Sequence, residues 1–137
     1  MIHSLEEAVL YTNNPRVRDR FQKQLTTFYF DESLIDLLNR IKVKISDGYE
    51  LLSHPLSGSV KPGETPFKSV LLSKKPGEYD LLSVELIDNA LERSRFFFRH
   101  YKLSEHTKAA DFPWDEQVIA DFALVDETLV RSAVESI

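Results

Sequence analysis

The chain has 137 residues, 42% of them apolar and 28% charged, with 17 basic against 22 acidic side chains for a formal net charge of −5. That length suits one domain whose core needs no crosslink, and the acidic balance argues against a general nucleic-acid or anionic-membrane surface. Cysteine is absent, which excludes disulfides, thiolate catalysis, iron–sulfur clusters and thiolate zinc sites.

In chain order, Met1 to Glu7 is acidic and lacks the basic start and apolar run of an export signal. No apolar run approaches the ~20 residues of a membrane span, so the expectation is a cytoplasmic protein without a membrane partner. Ala8-Val9-Leu10-Tyr11-Thr12 predicts a buried strand closed by Asn13-Asn14-Pro15. Pro15 suits the first position of a helix and Asn14 can cap it, which predicts a short helix from Arg16 to about Gln24. Thr26 to Phe30 is β-branched and aromatic and predicts a second strand. Asp31 or Ser33 can then cap a long helix whose apolar positions Leu34, Leu37, Leu38, Ile41 and Ile45 step by three or four. Gly48 supplies the left-handed residue that ends it, and Glu50 to Ser53 predicts a third strand.

Residues 54–66 change character, holding three of the six prolines and two of the four glycines. Beyond them Phe67 to Ser73 predicts a fourth strand, Lys74 to Gly77 a turn, and Leu81 to Tyr101 a helix with Val84, Ile87, Leu91, Phe98 and Tyr101 on one face. Lys102 to Asp111 is a polar connection. In the last segment Trp114, Val118, Phe122, Val125, Leu129 and Ala133 share a helical stripe. One helix, two helices with a break at Asp126, and a strand over Val118 to Val125 are all open there.

The alternation implies an α/β fold: a small three-layer, mostly parallel sheet flanked by helices, with a helical C-terminal segment. One domain covers 1–137, with a core of about 8–101 and an extension of about 112–137. If the winding reverses after the second strand, strands two and three flank strand one. Ligands would then bind beyond the carboxyl ends of the strands, where Asn13-Asn14-Pro15 and the loop from His54 would meet.

That loop contains parts that suit an anion. Gly58 can turn backbone amides inward, Ser57 and Ser59 add hydroxyl donors, and Lys61 adds a positive charge. The spacing is neither a Walker loop nor G-x-G-x-x-G, and a proline-stiffened surface loop is the plain alternative. Candidate ligand-binding residues are Asn13, Asn14, His54, Ser57, Gly58, Ser59 and Lys61. His54 titrates near neutral pH and is the catalytic candidate, although no G-x-S-x-G elbow accompanies it. No metal and no cofactor are expected, since His100 and His106 do not share a helix face and no H-x-x-x-H pair exists. Arg93 to His100 interleaves bases with three phenylalanines, a pattern seen in nucleic-acid stacking. Ordinary packing fits the acidic total better, and three consecutive Phe cannot all face one core.

The residues Leu10 to Pro15 and Leu52 to Ser69 resemble the GrdX-like family, small proteins encoded beside the glycine, sarcosine and betaine reductase components of amino-acid-fermenting bacteria. The resemblance covers about residues 8–100, and the tail after Lys102 does not add to it. It implies a setting rather than a mechanism. With no thiol, the chain cannot itself carry the redox or covalent steps of such a reductase. What the resemblance implies is an accessory or regulatory protein that binds a phosphorylated or carboxylate metabolite. The alternatives are an assembly module docking a reductase component or a second copy, and a small enzyme using His54 as acid–base.

Overall fold

The structure is a computed structural model and describes residues 5–53 and 64–136. After a 3₁₀ turn at Leu5–Glu7, strand β1 (Ala8–Thr12) is buried along its whole length, as suits a central strand covered on both faces. Helix α1 (Pro15–Phe21) has Pro15 in its first turn, and Asn14 Oδ1 accepts from Arg16 N. It ends before the expected Gln24 because the chain turns there, with Leu25 N still bonded to Phe21 O. Strand β2 (Thr27–Tyr29) runs parallel to β1.

Helix α2 (Leu34–Ser46) is capped by Ser33, whose hydroxyl accepts from Asp36 N, and it buries the stripe read from its spacing. Its end is a Schellman motif: Gly48 N donates to Ile45 O and Tyr49 N to Lys44 O, with Gly48 at φ +99°.

The expected mostly parallel sheet is not what forms. The strand order is β2-β1-β3, and β3 (Ser69–Ser73) pairs antiparallel with β1 from Ala8↔Ser73 to Thr12↔Ser69. The predicted third strand reduces to a bridge, Leu51↔Leu72, on the other side of β3, so β3 takes the place beside β1 expected of residues 50–53. Connectivity explains this. Parallel neighbours need a crossover of roughly a dozen residues or more, usually helical. The Pro- and Gly-rich sequence between residues 53 and 69 has no helical period, so the chain re-enters the sheet in the opposite direction.

Helix α3 (Leu81–His100) is capped by Asp80 and buries Ile87, Ala90, Leu91, Phe97 and Phe98. Of the three phenylalanines only Phe96 faces out, at 69% exposure. Helix α4 (Glu116–Glu135) is one unbroken helix capped by Asp115. Its buried face is Asp126, Val130 and Val134 rather than the predicted stripe, and Val118 and Val125 are exposed. The helix is rotated by about one residue, ~100°, because Asp126 is held inward by hydrogen bonds.

Two clusters form the core, one on each sheet face. Val9, Tyr11, Val70 and Leu72 pack against α2 and α3 with Phe112. Ala8, Leu10 and Leu71 pack against Val17 and Phe21 of α1 and Val130 and Val134 of α4. Alternate residues of β1 and β3 thus serve opposite layers, and the ends of these strands carry buried polar residues between the layers.

Candidate functional site at the carboxyl end of β1

Where β1 leaves the sheet the apolar run stops at Thr12-Asn13-Asn14, all three buried. Polar groups in such a place require partners, and each has them. Asn13 Nδ2 donates to Glu32 O (3.2 Å) and Pro66 O (3.1 Å), while its Oδ1 accepts from Lys68 N (2.9 Å). One amide therefore ties the end of β1 to the approach to α2 and the approach to β3. Asn14 Nδ2 donates to Ala123 O (3.0 Å) and Asp126 Oδ2 (3.1 Å) on α4.

The hydroxyls complete a directed chain. Asn14 N donates to Thr12 Oγ1 (3.0 Å), Thr12 Oγ1 and Ser69 Oγ lie 2.7 Å apart, and Ser69 Oγ donates to Asp126 Oδ2 at 2.7 Å. A hydroxyl has one proton, so if Ser69 gives its own to the carboxylate it must accept from Thr12. Asp126 is 5% exposed in the middle of α4. Burial pushes its carboxyl up, and the Ser69 and Asn14 hydrogen bonds and the charge of Lys68 act against that rise.

Lys68 stands one residue before β3 and is 6% exposed. Burial lowers its ammonium pKa, and the charge of Asp126 pulls it back up. Lys68, Ser69, Asp126 and Ser53 line a cavity of about 30 Å³ floored by Leu10, Leu71 and Leu129. That volume suits a water or two. Outside the cluster, Glu127 pairs with Arg16 and with Arg20 (3.4 Å), fastening α4 to α1.

Asn13 and Asn14, nominated from the sequence, thus meet at this site, with both side-chain amides engaged by the scaffold. His54, Ser57, Gly58, Ser59 and Lys61 lie outside the described residues. Ser53 and Glu64 border their segment, and Ser53 lines the cavity. Sequence reasoning missed Thr12, Lys68, Ser69 and Asp126 as members of one cluster. The available signal was a lysine opening an otherwise apolar strand and an aspartate within a helical stripe.

Among the described residues no group of three or more His, Asp or Glu side chains could hold a metal. His106 instead bonds Asp36 (2.8 Å), which raises its pKa, and His100 packs edge-on to Tyr101. Among the same residues no helix is long and apolar enough to cross a membrane.

No curated protein and no solved structure matches the chain. A family model described as GrdX-like protein matches residues 9–135, which takes in the whole polar cluster, from Thr12 to Asp126. The match thus runs through the tail beyond Lys102 and across both layers of the fold, and the chain belongs to the GrdX-like family.

Proposed function

We propose that the protein is a non-catalytic accessory or regulatory protein that binds a small anion, a phosphate or a carboxylate, at the carboxyl end of β1. The observation that carries this reading is Lys68, a lysine only 6% exposed beside a cavity that also presents Ser53 and Ser69; since the cavity itself holds only a water or two, the anion would sit at its mouth. Burying an ammonium group is costly unless a counter-charge or hydrogen-bond acceptors attend it, and an incoming anion would add one. Asp126 balances the site while no anion is bound, and its raised pKa lets it become neutral when one is.

The bonding pattern favours holding over turnover. Ser69 Oγ is bonded on both sides, to Thr12 and to Asp126, and so is poorly placed to attack a substrate. In this reading Asn13 and Asn14 act through the groups they position. His54, Ser57, Gly58, Ser59 and Lys61 remain the contacts nominated from the sequence. A cytoplasmic setting beside amino-acid reductase components, where phosphorylated and carboxylate metabolites arise, is part of the same proposal.

The test is thermal unfolding against millimolar phosphate, acetyl phosphate, acetate and sulfate. A ligand that binds only the native state at a hundredfold excess over Kd adds about 2.7 kcal/mol, a readily measured rise in Tm. Lys68→Met should fold and lose the rise. Unchanged melting of the wild type across that panel would overturn the proposal.

A further inference from the structure

A ridge of rings joins the end of α3 to the start of α4. His100 meets Tyr101 edge-on at 5.0 Å, Tyr101 meets Trp114 at 5.8 Å, and Trp114 stacks on Phe122 at 5.1 Å. On the α3 side Phe96 is 69% exposed. Exposed Glu92 stands four residues before it, and Arg93, Arg99 and His100 lie three or four residues away, which puts the bases on its flanks in excess of the acid. All three are exposed, and among the described residues neither Arg93 nor Arg99 has an ion-pair partner, the nearby Arg95–Glu105 pair taking the other base.

The α4 side has the opposite charge. Val118 and Val125, seven residues apart on one helix face, are 37% and 48% exposed, and the exposed acids Asp115 and Asp121 stand three residues to either side of Val118. Val118 and Val125 are the stripe positions that the inward turn of Asp126 leaves facing out. One end of the ridge is therefore apolar within a rim that is basic on balance, Arg93 and Arg99 against Glu92, and the other is apolar within an acidic rim.

We propose that the ridge is a self-association surface, in which the Phe96 patch of one copy docks on the Val118–Val125 patch of a second copy about a two-fold axis. Charge selects this occupant. A net charge of −5 makes copies repel in general, yet these two patches attract, and their apolar centres supply the desolvated core that specific interfaces use. A two-fold arrangement makes each contact twice and closes on itself, whereas a head-to-tail one would leave both patches open at the ends of a filament. Nucleic acid would suit the basic patch alone and leaves the acidic one unexplained.

The experiment is light scattering on the full chain over a concentration series, with two charge-reversed variants. One is Arg93→Glu with Arg99→Glu, and the other is Gln117→Lys with Asp121→Lys. All four positions are exposed, and an unchanged circular dichroism spectrum and melting cooperativity verify folding. The wild type is expected at twice its 15.8 kDa mass and each variant alone at the monomer mass. An equimolar mixture of the two variants should regain the dimer, because each reversed patch then faces its complement. A wild type that stays monomeric to its solubility limit overturns the proposal. So do variants that dimerise like the wild type, or a mixture that remains monomeric.

Discussion

Asn14 donates its side-chain amide to Asp126 at 3.1 Å across 112 residues of sequence, while its other side-chain atom caps α1. A single residue thus starts one helix and fixes the rotation of another. With Asp126 facing in, Val130 and Val134 complete the second core cluster and Val118 and Val125 are left outside.

Replacing Asn14 tests this double role. Asn14→Ala removes a helix cap, about 1 kcal/mol, and a hydrogen bond to a buried carboxyl, about 1–3 kcal/mol. The expected loss is about 2–4 kcal/mol by urea unfolding. In a double-mutant cycle with Asp126→Ala the two losses should fall short of additive, since each substitution removes the same hydrogen bond. Strict additivity would mean that the amide and the carboxyl do not interact.

The buried pair also fixes how stability varies with pH. The folded pKa of Asp126 is raised by burial, so the native state keeps a proton that the unfolded chain has released. Its contribution is present in full below the unfolded carboxyl pKa and is lost as pH rises through the folded one. Lys68 has a lowered folded pKa, so between that value and the ordinary lysine range stability rises with pH. Denaturation across the pH range should show the acid-side fall in the wild type and not in Asp126→Asn. The alkaline rise should be absent from Lys68→Met. An acid-side profile identical in the wild type and Asp126→Asn would rule out a perturbed carboxyl at this position.

Much of this scaffold is legible in the chain, and the exceptions have physical causes. Helix starts at Asn14-Pro15 and Ser33 and the stop at Gly48 are local effects, decided by a few adjacent residues, and the structure repeats them. The direction of β3 is non-local, because it depends on the connection between Ser53 and Ser69 rather than on the strand residues Ser69–Ser73 themselves. The rotation of α4 is harder still to foresee. Apolar periodicity turns Val125 inward, and only the meeting of Asn14 and Ser69 in space supplies the hydrogen bonds that turn Asp126 inward instead. For the same reason the loop residues Asn13 and Asn14 could be nominated from sequence, whereas Lys68 and Asp126 show there only as charged residues within apolar patterns.

Gly48 and Gly77 should respond differently to the same substitution. The φ of +99° at Gly48 disfavours any side chain, and a Cβ there would stand 2.5 Å from Gly77 O, against backbone that cannot swing aside. Gly77 N also donates to Gly48 O at 2.9 Å, joining the end of α2 to the turn before α3. Gly48→Ala should cost roughly 2–4 kcal/mol by strain and steric displacement. Gly77→Ala, with open space around its Cβ position, should change stability by less than about 1 kcal/mol. Equal losses at the two positions would contradict the close approach.

Sulfate can separate anion binding from general electrostatics, because its charge is constant over the working pH range. An anion beside Lys68 adds negative charge near Asp126, which favours the protonated carboxyl further, so binding must be accompanied by proton uptake. Stabilisation by sulfate should therefore strengthen as pH falls through the raised pKa of Asp126. Asp126→Asn makes the carboxyl permanently neutral while its side-chain oxygen can still accept from Ser69 and Asn14. Its response to sulfate should lack that strengthening on the acid side and, above the pKa of the wild-type carboxyl, should exceed that of the wild type. Lys68→Met should abolish the response at every pH. If Asp126→Asn instead loses sulfate binding, the carboxyl is part of the grip on the ligand rather than a charge the ligand must neutralise.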